Sequence, residues 1–194
     1  MMKKAFVLSL LIFVSSCLSA TDEPKKNEPQ GKTFNFLIDT RMEGPEGYRE
    51  LYIMLMFAKE NDVVRIHLNT PGGNLNTTVQ IVNALRETKA HTVAIVYEAS
   101  SGGSMIMLSC KEIQLGKFAS VMVHSMGYGQ VSGSVPDLDK MIEASKQLNE
   151  DLITTIYKGF LTKDEMVYVL NGGTIWSQGK DLEQRVKNWS KNKK

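Results

Sequence analysis

The run Val63-Val64-Arg65-Ile66-His67-Leu68-Asn69-Thr70-Pro71-Gly72-Gly73-Asn74 sets an alternating, β-branched stretch directly against a Pro-Gly-Gly turn. The residue types predict a strand over 63–68, and proline ends it because it brings no N–H to a ladder. Beyond the turn the period changes: Val79, Val82 and Leu85 recur at helical spacing across 75–88. The same alternation extends on both sides. Phe34 to Ile38 and Thr92 to Tyr97 are strands by residue type, and Tyr48 to Lys59 carries Leu51, Met54, Leu55 and Ala58 on one helical face. The order β-α-β-α-β predicts an α/β fold with parallel strands, because a parallel pair needs a crossover and cannot be closed by a hairpin.

Past Ser101 a short apolar helix is expected to Ser109, then strands over Glu112 to Leu115 and Ser120 to Val123. Val135 to Tyr157 reads as a long amphipathic helix with Leu138, Met141, Ile142, Leu148, Leu152 and Ile156 as its apolar stripe. There is no internal repeat, and 194 residues suit one domain. Hydrophobic residues at 42% and charged residues at 23% are ordinary for a globular chain. A net charge of +2 supplies no concentrated basic face, so no nucleic-acid partner is expected.

The first residues have a different character. Lys3 and Lys4 precede the apolar run Ala5 to Val14, and small residues lead to Cys17, which is the layout of a secretory signal. Val14-Ser15-Ser16-Cys17 resembles a lipobox, so residues 1–17 are expected to be a lipoprotein-type signal, with Cys17 lipidated as a membrane anchor; the alternative is an uncleaved apolar extension. Residues 18–32 are polar and proline-bearing and are expected to be a disordered tether. The folded domain is then 33–188, and the basic end, Lys187 to Lys194, with 189–194 outside the domain, is expected to be a frayed, solvated terminus. With two cysteines and three histidines at no ligand spacing, neither a disulfide framework nor a metal is expected, and Cys110 reads as a buried structural thiol.

Three stretches end predicted strands, the edge where parallel α/β sheets build sites. The first is the Pro71-Gly72-Gly73 turn, where paired glycines let a ligand approach backbone N–H groups, although such a turn also serves as plain connection. The second is Glu98-Ala99-Ser100-Ser101-Gly102-Gly103-Ser104, a strand-to-helix turn that suits Ser101 as a nucleophile; the structural alternative is that one of these serines caps the helix. The third is Val121-Met122-Val123-His124. Serine needs a base at neutral pH, and imidazole has the pKa for it, so His124 is the candidate ahead of His67 and His91, which lie within or beside core strands.

The stretches V-R-I-H-L-N-T-P-G-G-N, A-S-S-G-G-S-M-I-M-L and S-V-M-V-H-S-M-G-Y-G-Q-V-S-G together resemble the proteolytic subunit of the Clp protease, in that order and at similar separations, over about Phe34 to Val186. The resemblance implies a ClpP/crotonase-like α/β fold with repeated β-α-β units and a long handle helix. It implies a serine endopeptidase with Ser101 as nucleophile, His124 as general base, and the N–H groups of Gly73 and Gly102 as oxyanion donors. The family's third member is an aspartate. The nearest equivalent here, allowing a two-residue gap, is Asn171, which can orient an imidazole but not balance its charge, so lower activity is expected; Asp164 and Asp181 are substitutes that align less well.

The run Gly127 to Gly133 resembles the family's handle strand, which pairs with an extended peptide or unfolded protein substrate. By the same resemblance the assembly is a homo-oligomer, a heptameric ring or double ring, served by an ATP-dependent unfoldase or built with an active paralogue, and it needs no cofactor. The export signal implies a membrane-anchored or periplasmic location, whereas typical members are cytoplasmic. Three other readings remain open at this stage: a catalytically silent ring or scaffold subunit, which Asn171 favours; a signal-peptide-peptidase-like membrane-associated peptidase, whose A-A-S-G-G turn A-S-S-G-G resembles but whose base is a lysine; and an acyl-CoA enzyme, for which Glu98 is the only carboxylate beside the serine turn.

Overall fold

Thr33–Ile38 (β1), Val63–Thr70 (β2), His91–Ser100 (β3) and Glu112–His124 (β4) form consecutive parallel neighbours, and Thr174–Gln178 (β5) closes the sheet antiparallel to β4. The computed structural model describes residues 31–127 and 133–192. Expectations for residues 1–17 and 18–32, Cys17 included, and for the centre of the glycine-rich run therefore fall outside the described residues, apart from the tether's last two.

The connections are the predicted helices. Arg49–Phe57 (α1), entered through a 3-10 turn at Pro45–Tyr48, links β1 to β2; Leu75–Glu87 (α2) links β2 to β3; Gly102–Ser109 (α3) links β3 to β4. Val64, Ile66 and Leu68 from β2, Ala94 and Val96 from β3, and Val121 and Val123 from β4 point to one face. There they join Leu51, Leu55, Ile81, Leu85 and Ile106 in a single buried core. Alternate residues such as Asn35, Arg65, His91 and Trp176 face the other way and are exposed, the expected consequence of the strand period of two. Cys110 is fully buried, as expected of a structural thiol.

Four differences from the sequence reading have physical causes. The two strands expected after Cys110 are one, because residues 116–119 stand opposite Tyr97 as an irregularity between the Val96–Leu115 and Glu98–Ser120 pairs, and the ladder resumes beyond it. The long helix is present as Val135–Ile156 (α4), but its stripe is covered only toward its C-terminus: Ile156 is buried, while Met141, Ile142 and Leu148 are exposed. Lys163–Leu170 (α5) was not anticipated, although Thr162 and Glu165 form a capping box at its start. Finally, the basic end is helical as far as Asn192 in Gly179–Asn192 (α6), because Leu182, Val186 and Trp189 lie on one face against the core.

Candidate active site

Because β2, β3 and β4 are parallel and in register, their C-terminal ends lie side by side. Thr70 pairs with Ala99 and Ser100 with Met122, so the Pro-Gly-Gly turn, Ser101 and His124 leave the same edge of the sheet. They line one cleft of about 490 Å³ with Met42, Gly102, Thr78 and Met105. A larger groove of about 820 Å³ lies between α1 and α2, but no serine, cysteine or histidine lines it, so nucleophilic chemistry points to the smaller cleft.

Ser101 has φ 53° and ψ −120°, the only positive φ of a non-glycine residue among the described residues. Such a conformation costs on the order of 1–3 kcal/mol and persists only where the surroundings enforce it. Here its N–H donates to Met122 O (2.8 Å) across to β4, and its carbonyl accepts from Ser104 N (3.0 Å) and Ser104 Oγ (2.6 Å) at the start of α3. The capping alternative for Ser101 does not hold, since its side chain makes no cap hydrogen bond. Ser100 Oγ donates to Glu98 Oε1 (3.2 Å), so of the turn's three serine hydroxyls only that of Ser101 has no partner among the described residues.

The glycine turn is bound to a neighbouring stretch of chain. Met42 N donates to Gly72 O (2.8 Å) and Asn74 N to Met42 O (2.7 Å), while Asn74 Oδ1 accepts from Thr77 N (3.1 Å) to cap α2. This bridging turns the Gly73 N–H away from Met42, and like the Gly102 N–H it has no hydrogen-bond partner among the described residues. Gly72 has φ +90° and Gly73 φ +152°, and a Cβ on Gly73 would sit 2.1 Å from Met42 O, so the close approach excludes a side chain.

His124 ends β4 opposite Thr174 of β5. The chain just beyond it is fastened from two sides: Ser125 Oγ donates to Val169 O (2.6 Å), Asn149 Nδ2 donates to Ser125 Oγ (3.2 Å), and Met126 N donates to Asn149 Oδ1 (3.0 Å). No hydrogen bond joins the His124 ring to Ser101 or to Asn171 among the described residues. Asn171 caps the C-terminus of α5, its Nδ2 donates to Val167 O (2.9 Å), and it is not among the residues lining the cleft. Of the substitutes, Asp164 lies in the first turn of α5, and Asp181 accepts from Ser177 Oγ (2.6 Å) and Arg185 Nε (2.9 Å). His67 meets Asn35 (3.3 Å) and His91 meets Glu112 (3.0 Å) elsewhere on the sheet. Among the described residues no group of His, Cys, Asp or Glu could hold a metal ion. The sequence reading missed Asn149 and Tyr157 and offered Ser104 only as a helix cap; the Tyr157 hydroxyl lies 2.7 Å from Ser104 Oγ.

Parallel β-α-β units that deliver a glycine turn and a serine elbow to one cleft define an α/β protein of the ClpP/crotonase superfamily. The family model of the Clp proteases matches residues 47–168, and the chain belongs to that family. No curated protein matches the chain. The matched span contains Gly73, Ser101, Gly102 and His124 and stops short of Asn171. At the level of the family the protein is a Clp-type peptidase, and members of this family usually form oligomeric rings.

Proposed function

We propose that the protein is a serine endopeptidase in which Ser101 attacks the peptide carbonyl and His124 is the general base. The observation that carries this reading is the strained Ser101 backbone with its uncommitted hydroxyl, in the same cleft as His124 and two unpaired amides. The chemistry follows from those groups. A neutral imidazole takes the Ser101 proton as Oγ bonds to the carbonyl carbon, and the Gly73 and Gly102 N–H groups receive the developing oxyanion. The imidazolium returns the proton to the departing amine, and water then hydrolyses the acyl-enzyme by the same route in reverse. Asn171 keeps the place of third member in this proposal only by leaving Val167, so a Ser101–His124 pair is the core of the mechanism.

A fluorophosphonate should label Ser101 of the assembled protein, and Ser101→Ala should abolish both labelling and cleavage of a fluorogenic peptide while leaving the assembly intact. Absence of labelling in wild-type protein, beside an active family member that labels, would sink the proposal. The second reading, a silent ring subunit, is favoured by the lack of any hydrogen bond between His124 and a carboxylate among the described residues; it predicts that Ser101→Ala changes nothing. A ring working on unfolded chains, with an unfoldase or an active paralogue, belongs to the same proposal. So does export with a lipid on Cys17, which mass analysis of the protein isolated from membranes tests directly.

A further inference from the structure

The peptide between Ser101 and Gly102 is planar and trans, so its C=O and N–H point in opposite directions. Its carbonyl is drawn into the interior by Ser104 Oγ (2.6 Å), Ser104 N (3.0 Å) and, at longer range, Met105 N (3.4 Å). Ser104 has one hydroxyl hydrogen, which that bond uses. Its 2.7 Å contact with Tyr157 Oη therefore has the phenol as donor, giving a chain from Tyr157 O–H to Ser104 O–H to the Ser101 carbonyl. Both Ser104 and Tyr157 are 0% exposed, so neither hydroxyl has water as an alternative partner, and burial pushes the Tyr157 phenol well above its ordinary pKa, which keeps it a donor. Tyr157 is itself held between α4 and the next turn, since its N–H donates to Ile153 O (3.3 Å) and its carbonyl accepts from Phe160 N (3.0 Å) and Leu161 N (2.9 Å).

We infer that Tyr157 and Ser104 are positioning residues for the oxyanion hole: by anchoring the Ser101 carbonyl on the inner side of the peptide plane, they keep the Gly102 N–H aimed into the cleft. The inference rests on the proposed peptidase reading. It accounts for a feature the fold does not otherwise require, because an apolar pair at these buried positions would pack without two hydroxyls to satisfy. Removing the Ser104 hydroxyl leaves the carbonyl held only by the backbone N–H groups of Ser104 (3.0 Å) and Met105 (3.4 Å), and removing the Tyr157 hydroxyl leaves Ser104 Oγ without the donor that orients it. Donor alignment is then lost part of the time, and the loss falls on the transition state, where the carbonyl oxygen carries charge, and not on ground-state binding.

Kinetics of the full-length assembled protein test this. Tyr157→Phe and Ser104→Ala should each lower kcat about tenfold with KM within about twofold, the loss expected from one buried hydrogen bond felt mainly in the transition state. Each should weaken binding of a peptide boronate, whose tetrahedral adduct occupies the oxyanion site, by a similar factor. The double variant should be no slower than the slower single one, because the two hydroxyls act in series. If wild type is active and the variants keep their kcat and boronate affinity, or lose only KM, the inference is overturned while the peptidase reading stands. If wild type neither labels nor cleaves, both fall. Should Tyr157→Phe fail to fold, Ser104→Ala, which removes a single buried atom, carries the same test.

Discussion

Gly72→Ala offers a direct measure of how tightly the glycine turn is packed against the serine elbow. An added Cβ would lie 2.6 Å from Ser100 O, 2.7 Å from Ser101 Cβ and 3.0 Å from Gly102 N, and the first and last of these are backbone atoms that cannot swing aside. The backbone itself, at φ +90°, also disfavours an L-residue. Left-handed strain contributes about 1–2 kcal/mol and forced overpacking about 1–3 kcal/mol, offset by about 0.4–1 kcal/mol from a stiffer unfolded chain. The net destabilisation is about 1–5 kcal/mol, which for a chain of this size corresponds to a fall in Tm of about 2–20 °C. Because relief comes by pushing Ser101 away, kcat should drop about 10- to 100-fold, as expected of a nucleophile displaced by a fraction of an ångström to 1 Å. Urea denaturation and peptide cleavage read the two effects separately. Gly47→Ala, where the new methyl meets nothing within 4 Å, is the matched control and should leave both unchanged. A Gly72→Ala protein with wild-type stability and wild-type kcat would refute the packing described between the turn and the elbow.

Three further outcomes are expected. Hydrogen bonds from Arg185, with another from the Thr162 backbone N–H, hold the Glu165 carboxyl at about 2, so its contribution is full above about 4.5 and is lost as pH falls toward 2; Arg185→Met should flatten that acid limb in urea midpoints, by about 1 kcal/mol once solvent screening is allowed for. Asn149→Ala removes two of the three bonds that fasten the chain after His124, leaving Ser125 Oγ on Val169 O, and should cost about 1–3 kcal/mol in thermal or urea unfolding together with a lower kcat. Asn171→Ala should leave kcat within about threefold, since its amide serves Val167; a larger loss in steady-state assays would mean that Asn171 turns toward His124 during catalysis.

The elements that could be read from sequence are those whose signal is local. β2 and α2 announce themselves by a change of period across Pro71-Gly72-Gly73, and Ser101 and His124 could be chosen because each ends a strand whose direction the β-α-β order fixes. β5 is too short to show a period, and α6 combines a sparse apolar stripe with many charges, so both passed as irregular chain. The capping box at Thr162 and Glu165 was a signal that could have found α5. Residues 116–119 carry no strand alternation, which splits β4 in sequence, whereas in the fold they bulge opposite Tyr97 and the strand runs on through them. The supporting polar residues had no local signature at all: Asn149 meets Ser125 across 24 positions and Tyr157 meets Ser104 across 53, and only packing brings them together.

The backbone at position 101 is one that glycine would occupy without penalty, and two glycines stand immediately after it. Folding alone therefore pulls this site toward losing its side chain: the most comfortable occupant is the one that can do no chemistry. A subunit kept only for its shape would be free to drift in that direction and gain stability by doing so. A serine that stands there against the preference of its own main chain is what use, not architecture, would leave behind.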